Sequence, residues 1–127
     1  LREHPIDLQT SDYVRLQKWF ASRVEFSVSL PRPRSTDLIG GRLCSIGGQR
    51  VVSAAYMHGS IPITLYIMDR TALGLSLPDD ISAIGDKRIY FSGTKGCNVV
   101  LWEEKGLIYG LVSELSKDVL ISLVART

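Results

Sequence analysis

Histidine is scarce in this chain, with only His4 and His58 among 127 residues. Nucleophilic catalysis by serine or cysteine needs a neighbouring base, so this scarcity removes most ways of activating such a nucleophile. Cys44 and Cys97 stand in no activating motif either, and no catalytic triad is expected. The donors that could suit copper or zinc are His4, Cys44, Met57, His58, Met68 and Cys97, and none of them forms a C-x-x-C or H-x-x-x-H pair. We therefore expect neither a metal nor another cofactor. Two adjacent carboxylate pairs occur, Asp79-Asp80 and Glu103-Glu104. The second falls in a strand-like run, where neighbours point to opposite faces and cannot converge on one substrate. The first reads as loop solvation. Gly40-Gly41 and Gly47-Gly48 do not fit G-x-G-x-x-G before a helix, so no phosphate cradle is expected. The chain reads as a non-enzyme.

Long apolar runs are missing too. Nothing approaches the ~18–20 residues needed to span a bilayer as a helix, and no signal peptide opens the chain. A formal net charge of +2, dispersed along the sequence, gives no basic face for nucleic acid. Arg32 and Arg34 are the one local concentration, and the flanking Pro31 and Pro33 make them a solvated connection. The sequence opens Leu1-Arg2-Glu3 without an initiator Met, from which we expect a piece of a longer protein. At 45% hydrophobic residues, residues 1–127 can bury one core and read as a single domain.

The most informative stretch runs from Leu38 to Tyr56, two β-like segments joined by Gly47-Gly48. A Gly-Gly pair supplies the positive φ angles of a two-residue type I′ turn. That turn fixes a register in which Ile46 faces Gln49, Cys44 faces Val51, Leu43 faces Val52 and Gly41 faces Ala54. Before it, Thr10 to Arg23 carries Tyr13, Leu16, Trp19 and Phe20 at helical spacing, capped by Thr10 or Ser11. Val24, Phe26, Val28 and Leu30 alternate with polar residues and predict a half-buried strand. After the hairpin, Gly59 permits a turn into Ile61–Met68, with Ile61, Ile63, Leu65 and Ile67 inward and Pro62 among the first residues of the strand or at an edge.

From Asp69 to Gly85 the pattern fails, and the longest loop is expected there. Lys87–Ser92 predicts a further strand. Cys97–Glu103 and Leu107–Ser113 flank Lys105-Gly106 as a second hairpin, which sets Trp102 across from Tyr109 and Val100 across from Leu111. Ser116 caps a closing helix with Val119, Leu120, Leu123 and Val124 as its stripe. Short turns between strands and helices at both chain ends predict an α+β fold: an antiparallel sheet of about six or seven strands with an N-terminal and a C-terminal helix packed on it.

Four blocks carry a resemblance, in this order and at these intervals: Trp19-Phe20; Leu38-Ile39-Gly40-Gly41-Arg42-Leu43; Gly96-Cys97-Asn98-Val99-Val100-Leu101-Trp102; and Leu107 to Leu115. Together they resemble the C-terminal region of single-pass anti-sigma factors. The resemblance implies an extracytoplasmic sensor or partner-binding domain of a membrane-anchored parent, on the periplasmic side of the inner membrane. Its implied partner is a protein, or a regulator of a protease, outside the cytoplasm. A sigma factor would be reached only through an N-terminal region that this sequence lacks, together with its zinc ligands and membrane helix. The alternative is a stand-alone ligand- or metal-binding α+β module, for which a deep polar pocket containing Tyr56, His58 or Tyr66 would speak.

Cys97 departs from the family pattern, which has an aromatic residue there. An oxidising location would permit a disulfide between Cys44 and Cys97, and closing so long a loop contributes roughly 3–5 kcal/mol. Two buried free thiols are the alternative.

Overall fold

A computed structural model describes residues 6–46, 48–70, 81–84, 87–94 and 96–125. The N-terminal helix α1, Tyr13–Ala21, starts where Asp12 accepts hydrogen bonds from the backbone amides of Val14 and Arg15 at 3.0 and 3.2 Å. Asp12 is thus the cap expected at Thr10 or Ser11. Thr10 braces it instead, its hydroxyl accepting from the Asp12 amide at 3.1 Å. The C-terminal helix α2, Lys117–Ala125, is capped by Ser116 as expected. Among the described residues, seven strands of four to ten residues lie between the helices, and a two-residue strand that precedes α1 sits at one edge of the sheet.

In chain order the strands are β1 Leu8–Gln9, β2 Asp37–Ile46, β3 Gln49–His58, β4 Ile61–Asp69, β5 Ile81–Ile84, β6 Lys87–Thr94, β7 Cys97–Glu104 and β8 Leu107–Ser113. They form one sheet in the order β1-β2-β3-β4-β8-β7-β6-β5, with every pair antiparallel. Two meanders therefore meet at their last strands, β4 and β8. Every expected register of both hairpins is observed, including Cys44 opposite Val51 and Trp102 opposite Tyr109. The rings of that second pair stack, 5.3 Å apart and 12° from parallel. Lys105 and Gly106 both take positive φ, 50° and 79°, as a type I′ turn requires.

Two expectations need correction. Val24–Leu30 is not a strand, although Val24, Phe26 and Val28 pack on the core and Leu30 is buried. Its alternation reports burial alone. The Leu30 amide donates to the Gln17 side chain of α1 at 2.8 Å, and β1 occupies the sheet edge beside β2. The Asp69–Gly85 loop, of which 71–80 and 85 lie outside the described residues, contains a strand at Ile81–Ile84 that pairs with β6.

Both helices cover the same face of the sheet. The core cluster joins Leu16 and Phe20 of α1 and Leu120, Leu123 and Val124 of α2 to Val52, Ala54, Tyr56, Ile63, Leu65, Ile67, Val100, Trp102 and Leu111. These strand residues all share one side of the pleat, because the paired positions put them opposite one another. Gly41 lets α1 come close: a Cβ there would lie 2.6 Å from the Phe20 ring and 2.9 Å from the Ser53 carbonyl.

Candidate functional site

The opposite face carries the unexplained polar groups. Reading the ladders across from β2 to β4, Arg42 pairs with Ser53 and Ser53 pairs with Tyr66. Paired residues on neighbouring strands share a face, so guanidinium, hydroxyl and phenol stand in one row. Arg42 and Tyr66 are half-buried, while Ser53 is only 5% exposed. No hydrogen bond or ion pair within the described chain engages any of these three side-chain groups.

Cys44, two residues from Arg42 along β2, belongs to the same face. Burial pushes its thiol above the ordinary value, with Arg42 acting in the other direction and Asp7 adding to the rise. Burial likewise raises the Tyr66 phenol, chiefly, with smaller contributions from Cys44 and Cys97 and an opposing one from Arg42. These groups are therefore close enough to act on one another through the sheet's open side. Both the thiol and the phenol stay neutral near pH 7, and a neutral thiol is a poor nucleophile. The row can donate hydrogen bonds and carries one positive charge. It offers no base.

Around the row, Met57, Met68, Leu101 and Val112 share this face and are half-buried. Val51 and Ile108 lie on it fully buried, yet outside the core cluster of the helix-covered face. Glu103 also points this way, where Arg70 pairs with it at 3.1 Å. Glu104 falls on the helix-covered side, so this carboxylate pair diverges as expected. Asp79, Asp80 and His4 lie outside the described residues.

Cys44 and Cys97 are both free thiols in the structure. They sit on β2 and β7 with β3, β4 and β8 between them. Four inter-strand steps span roughly 19 Å along the sheet, whereas a disulfide needs Cα atoms within about 7 Å. Tyr56 is buried, and its hydroxyl donates to the Pro31 carbonyl at 2.7 Å. His58 donates from Nδ1 to the Ser35 carbonyl at 3.0 Å. Tyr56, His58 and Tyr66 thus share no pocket: the first two serve the helix-covered side, and only Tyr66 faces the open one. Trp19 is half-buried beneath the Arg23 guanidinium, 4.3 Å from its ring centre, and Phe20 is fully buried. Arg32 lies 4.3 Å over the Tyr13 ring and Arg34 is exposed. Among the described residues, no three His, Cys, Asp or Glu side chains gather as metal ligands would.

Two clefts open elsewhere. One of about 520 Å³ is lined by Gln17, Arg32, Trp102, Glu104 and Tyr109, between α1 and the β7-β8 hairpin. The other, about 400 Å³, lies between Arg23, Glu25, Phe26 and Arg50. The clefts mix both signs of charge, whereas the Arg42 row carries one sign without a counter-ion.

Residue-by-residue inspection misses this row, because Arg42, Ser53 and Tyr66 belong to no sequence motif. The signal that finds it is the pair of two-residue turns: Gly47-Gly48 sets Arg42 opposite Ser53, and Gly59-Ser60 sets Ser53 opposite Tyr66. Comparison with protein-family models, curated proteins and solved structures found no match.

Proposed function

We propose that the chain is a non-catalytic extracytoplasmic domain of a membrane-anchored anti-sigma factor, which receives a protein partner or a protease regulator and changes the parent's stability or cleavage. The observation that carries the partner-binding part is the one-sided core. Both helices are spent on one face, and the other presents half-buried apolar side chains around an unpaired guanidinium. Partly exposed Met57, Met68, Leu101 and Val112 beside that charge are what support a contact surface on this side. The four sequence blocks that carry the family resemblance lie at structural positions that hold this arrangement: Phe20 against Gly41, and Trp102 stacked on Tyr109.

The test uses the full-length gene in its host. Phe20→Ala, which unfolds or loosens this domain, is expected to change sigma-dependent transcription several-fold as read by RNA sequencing. Unchanged transcription, with the parent protein present on an immunoblot, overturns the reading. The isolated domain is expected not to retain the sigma factor in a pull-down, since that contact belongs to the region preceding the membrane.

A second reading, a stand-alone ligand-binding module, is favoured by the 520 Å³ cleft. It places Arg32 and Glu104 around the Trp102-Tyr109 stack, a size and a mixture of groups that suit a small zwitterion. Saturable binding of a free amino acid that is lost in Glu104→Gln would support it.

A further inference from the structure

The helix-covered face holds one stretch that the sheet does not fasten. The amides of Arg23 and Val24 donate to the Phe20 carbonyl at the end of α1, at 2.8 and 3.1 Å, and ladder pairing resumes at Asp37 in β2. Among the described residues, no backbone-to-backbone hydrogen bond involves positions 25–36 between those two points. Side chains from elsewhere hold the chain there. Gln17 accepts from the Leu30 amide at 2.8 Å, Tyr56 donates to the Pro31 carbonyl at 2.7 Å and His58 donates to the Ser35 carbonyl at 3.0 Å. Arg32 adds its contact with the Tyr13 ring.

Burial along the stretch is partial as well. Val24, Phe26 and Val28 are half-buried, Glu25, Ser27 and Ser29 are exposed, and only Leu30 and Pro33 are withdrawn from water. Few backbone hydrogen bonds and incomplete apolar burial place a segment at the low end of local stability. The middle of the sheet is the opposite case: Leu65 and Leu111 are fully buried in β4 and β8, each paired on both sides. At the far end of the stretch Ser35 holds φ at 60°, an uncommon conformation for a residue with a Cβ and one that a moving hinge can release. The stretch is also a wall of both clefts. Arg23 to Phe26 line the one of about 400 Å³, and Ser29 to Arg32 line the one of about 520 Å³.

We infer that residues 25–34 form a strap that lifts from the helix-covered face as a unit, hinged at Val24 and Ser35, while the eight-stranded sheet and both helices stay folded. Lifting breaks the bonds to Gln17 and Tyr56 and takes Phe26, Val28 and Leu30 off the core. It removes the wall between the two clefts and bares the Trp102-Tyr109 stack, with which Leu30 shares the core cluster. The ladder is left intact, because no strand pairs with the strap. A ligand or partner that prefers either form shifts the balance by its difference in affinity for the two. This two-state element goes beyond the partner-binding reading above and does not depend on which partner the domain receives.

The test is native-state hydrogen exchange by NMR on the whole chain, under conditions where exchange reads the opening equilibrium, comparing the Leu30 amide with those of Leu65 and Leu111. The expected result is a Leu30 amide that is protected yet opens at least ~100-fold more often than the other two, which wait for global unfolding. Two variants separate the strap from other openings. Phe26→Ala removes packing that only the closed strap makes, so Leu30 and Leu65 should both exchange ~10-fold faster. Leu120→Ala, in α2, removes packing that lifting keeps, so it should speed Leu65 by at least ~30-fold and leave Leu30 within ~2-fold. Equal exchange of Leu30 and Leu65, or an equal effect of Leu120→Ala on both, would mean that the strap opens only with the whole domain and would overturn the inference. An unprotected Leu30 amide would overturn the closed form. A Leu30 rate unmoved by Phe26→Ala would reduce the opening to the loss of one hydrogen bond, and the strap would not be a unit. Peak dispersion in β7 and β8 reports that each variant is folded; where Leu120→Ala leaves too little folded protein, Leu120→Val makes the same comparison in a milder form.

Discussion

Gly41→Ala tests the closest approach in the domain. A Cβ at this position would lie 2.6 Å from Cζ of Phe20, 2.9 Å from the Ser53 carbonyl oxygen and 3.0 Å from Cδ1 of Leu16. Ordinary carbon–carbon contacts sit at ~3.5–4.0 Å, so the ring is about 1 Å too near. Of these neighbours the Ser53 oxygen is backbone in the middle of β3 and cannot swing away. The helix must lift, or the ring must leave its edge-on contact with Trp19 at 5.3 Å. Overpacking of this kind costs ~1–3 kcal/mol, and alanine recovers ~0.4–1 kcal/mol by restricting the unfolded chain. The net loss is on the order of 1–2 kcal/mol. Urea denaturation reads it as a lower midpoint at unchanged slope. A double-mutant cycle sharpens the argument, because Phe20→Leu removes the Cζ atom that the new methyl would strike. In that background Gly41→Ala is expected to cost ~1 kcal/mol less than it does alone, a coupling normal for residues in contact. A neutral or stabilising Gly41→Ala, or strict additivity of the two changes, would refute the proposed packing of α1.

Phe20→Ala is expected to cost ~3–5 kcal/mol by chemical denaturation, since the side chain is fully buried at the helix–sheet contact; a loss below 1 kcal/mol would mean that the aromatic pair is a surface contact. Thiol titration of unfolded, unreduced protein should count two reactive groups per chain, because Cys44 and Cys97 are separated by three strands; zero would require a bridge that the sheet order opposes. Alkaline stability follows from the phenols. Burial raises Tyr13, Tyr56, Tyr66 and Tyr109 above their ordinary value, with Glu104 adding to the rise at Tyr109. A group raised on folding binds its proton more tightly in the native state, so its contribution is full below the unfolded value near 10 and is lost as pH climbs above it. Absorbance at 295 nm should show these tyrosines ionising together with unfolding; four phenols titrating normally in a folded domain would contradict their burial.

What the sequence makes legible here is whatever a short turn controls. A two-residue connection leaves one register: Lys105-Gly106 determines its whole ladder, and Gly47-Gly48 determines the pairs from Ile46–Gln49 to Gly40–Ala55, beyond which a bulge between Leu38 and Gly40 shifts the register by one residue. Alternation is weaker evidence, because it reports which side chains are withdrawn from water and not which backbone groups are paired. Val24–Leu30 illustrates the difference: its apolar residues face the core, but its backbone is held through the Gln17 side chain in place of a neighbouring strand. Ile81–Ile84 illustrates the converse, four residues pressed between Asp80 and Gly85 whose strand character comes from their partner β6.

The junction of β4 and β8 has no local signal at all. Tyr66 lies opposite Gly110 there, and a Cβ on that glycine would come within 2.9 Å of Leu101 Cδ2, so the missing side chain makes room for a neighbour from β7. That accommodation also bounds the open face. With Leu101 leaning over Gly110, the polar row ends at Tyr66 and apolar side chains begin directly beside it. The surroundings of Tyr66 thus depend on one long-range pairing that composition and periodicity do not encode, and on two turns that the sequence does.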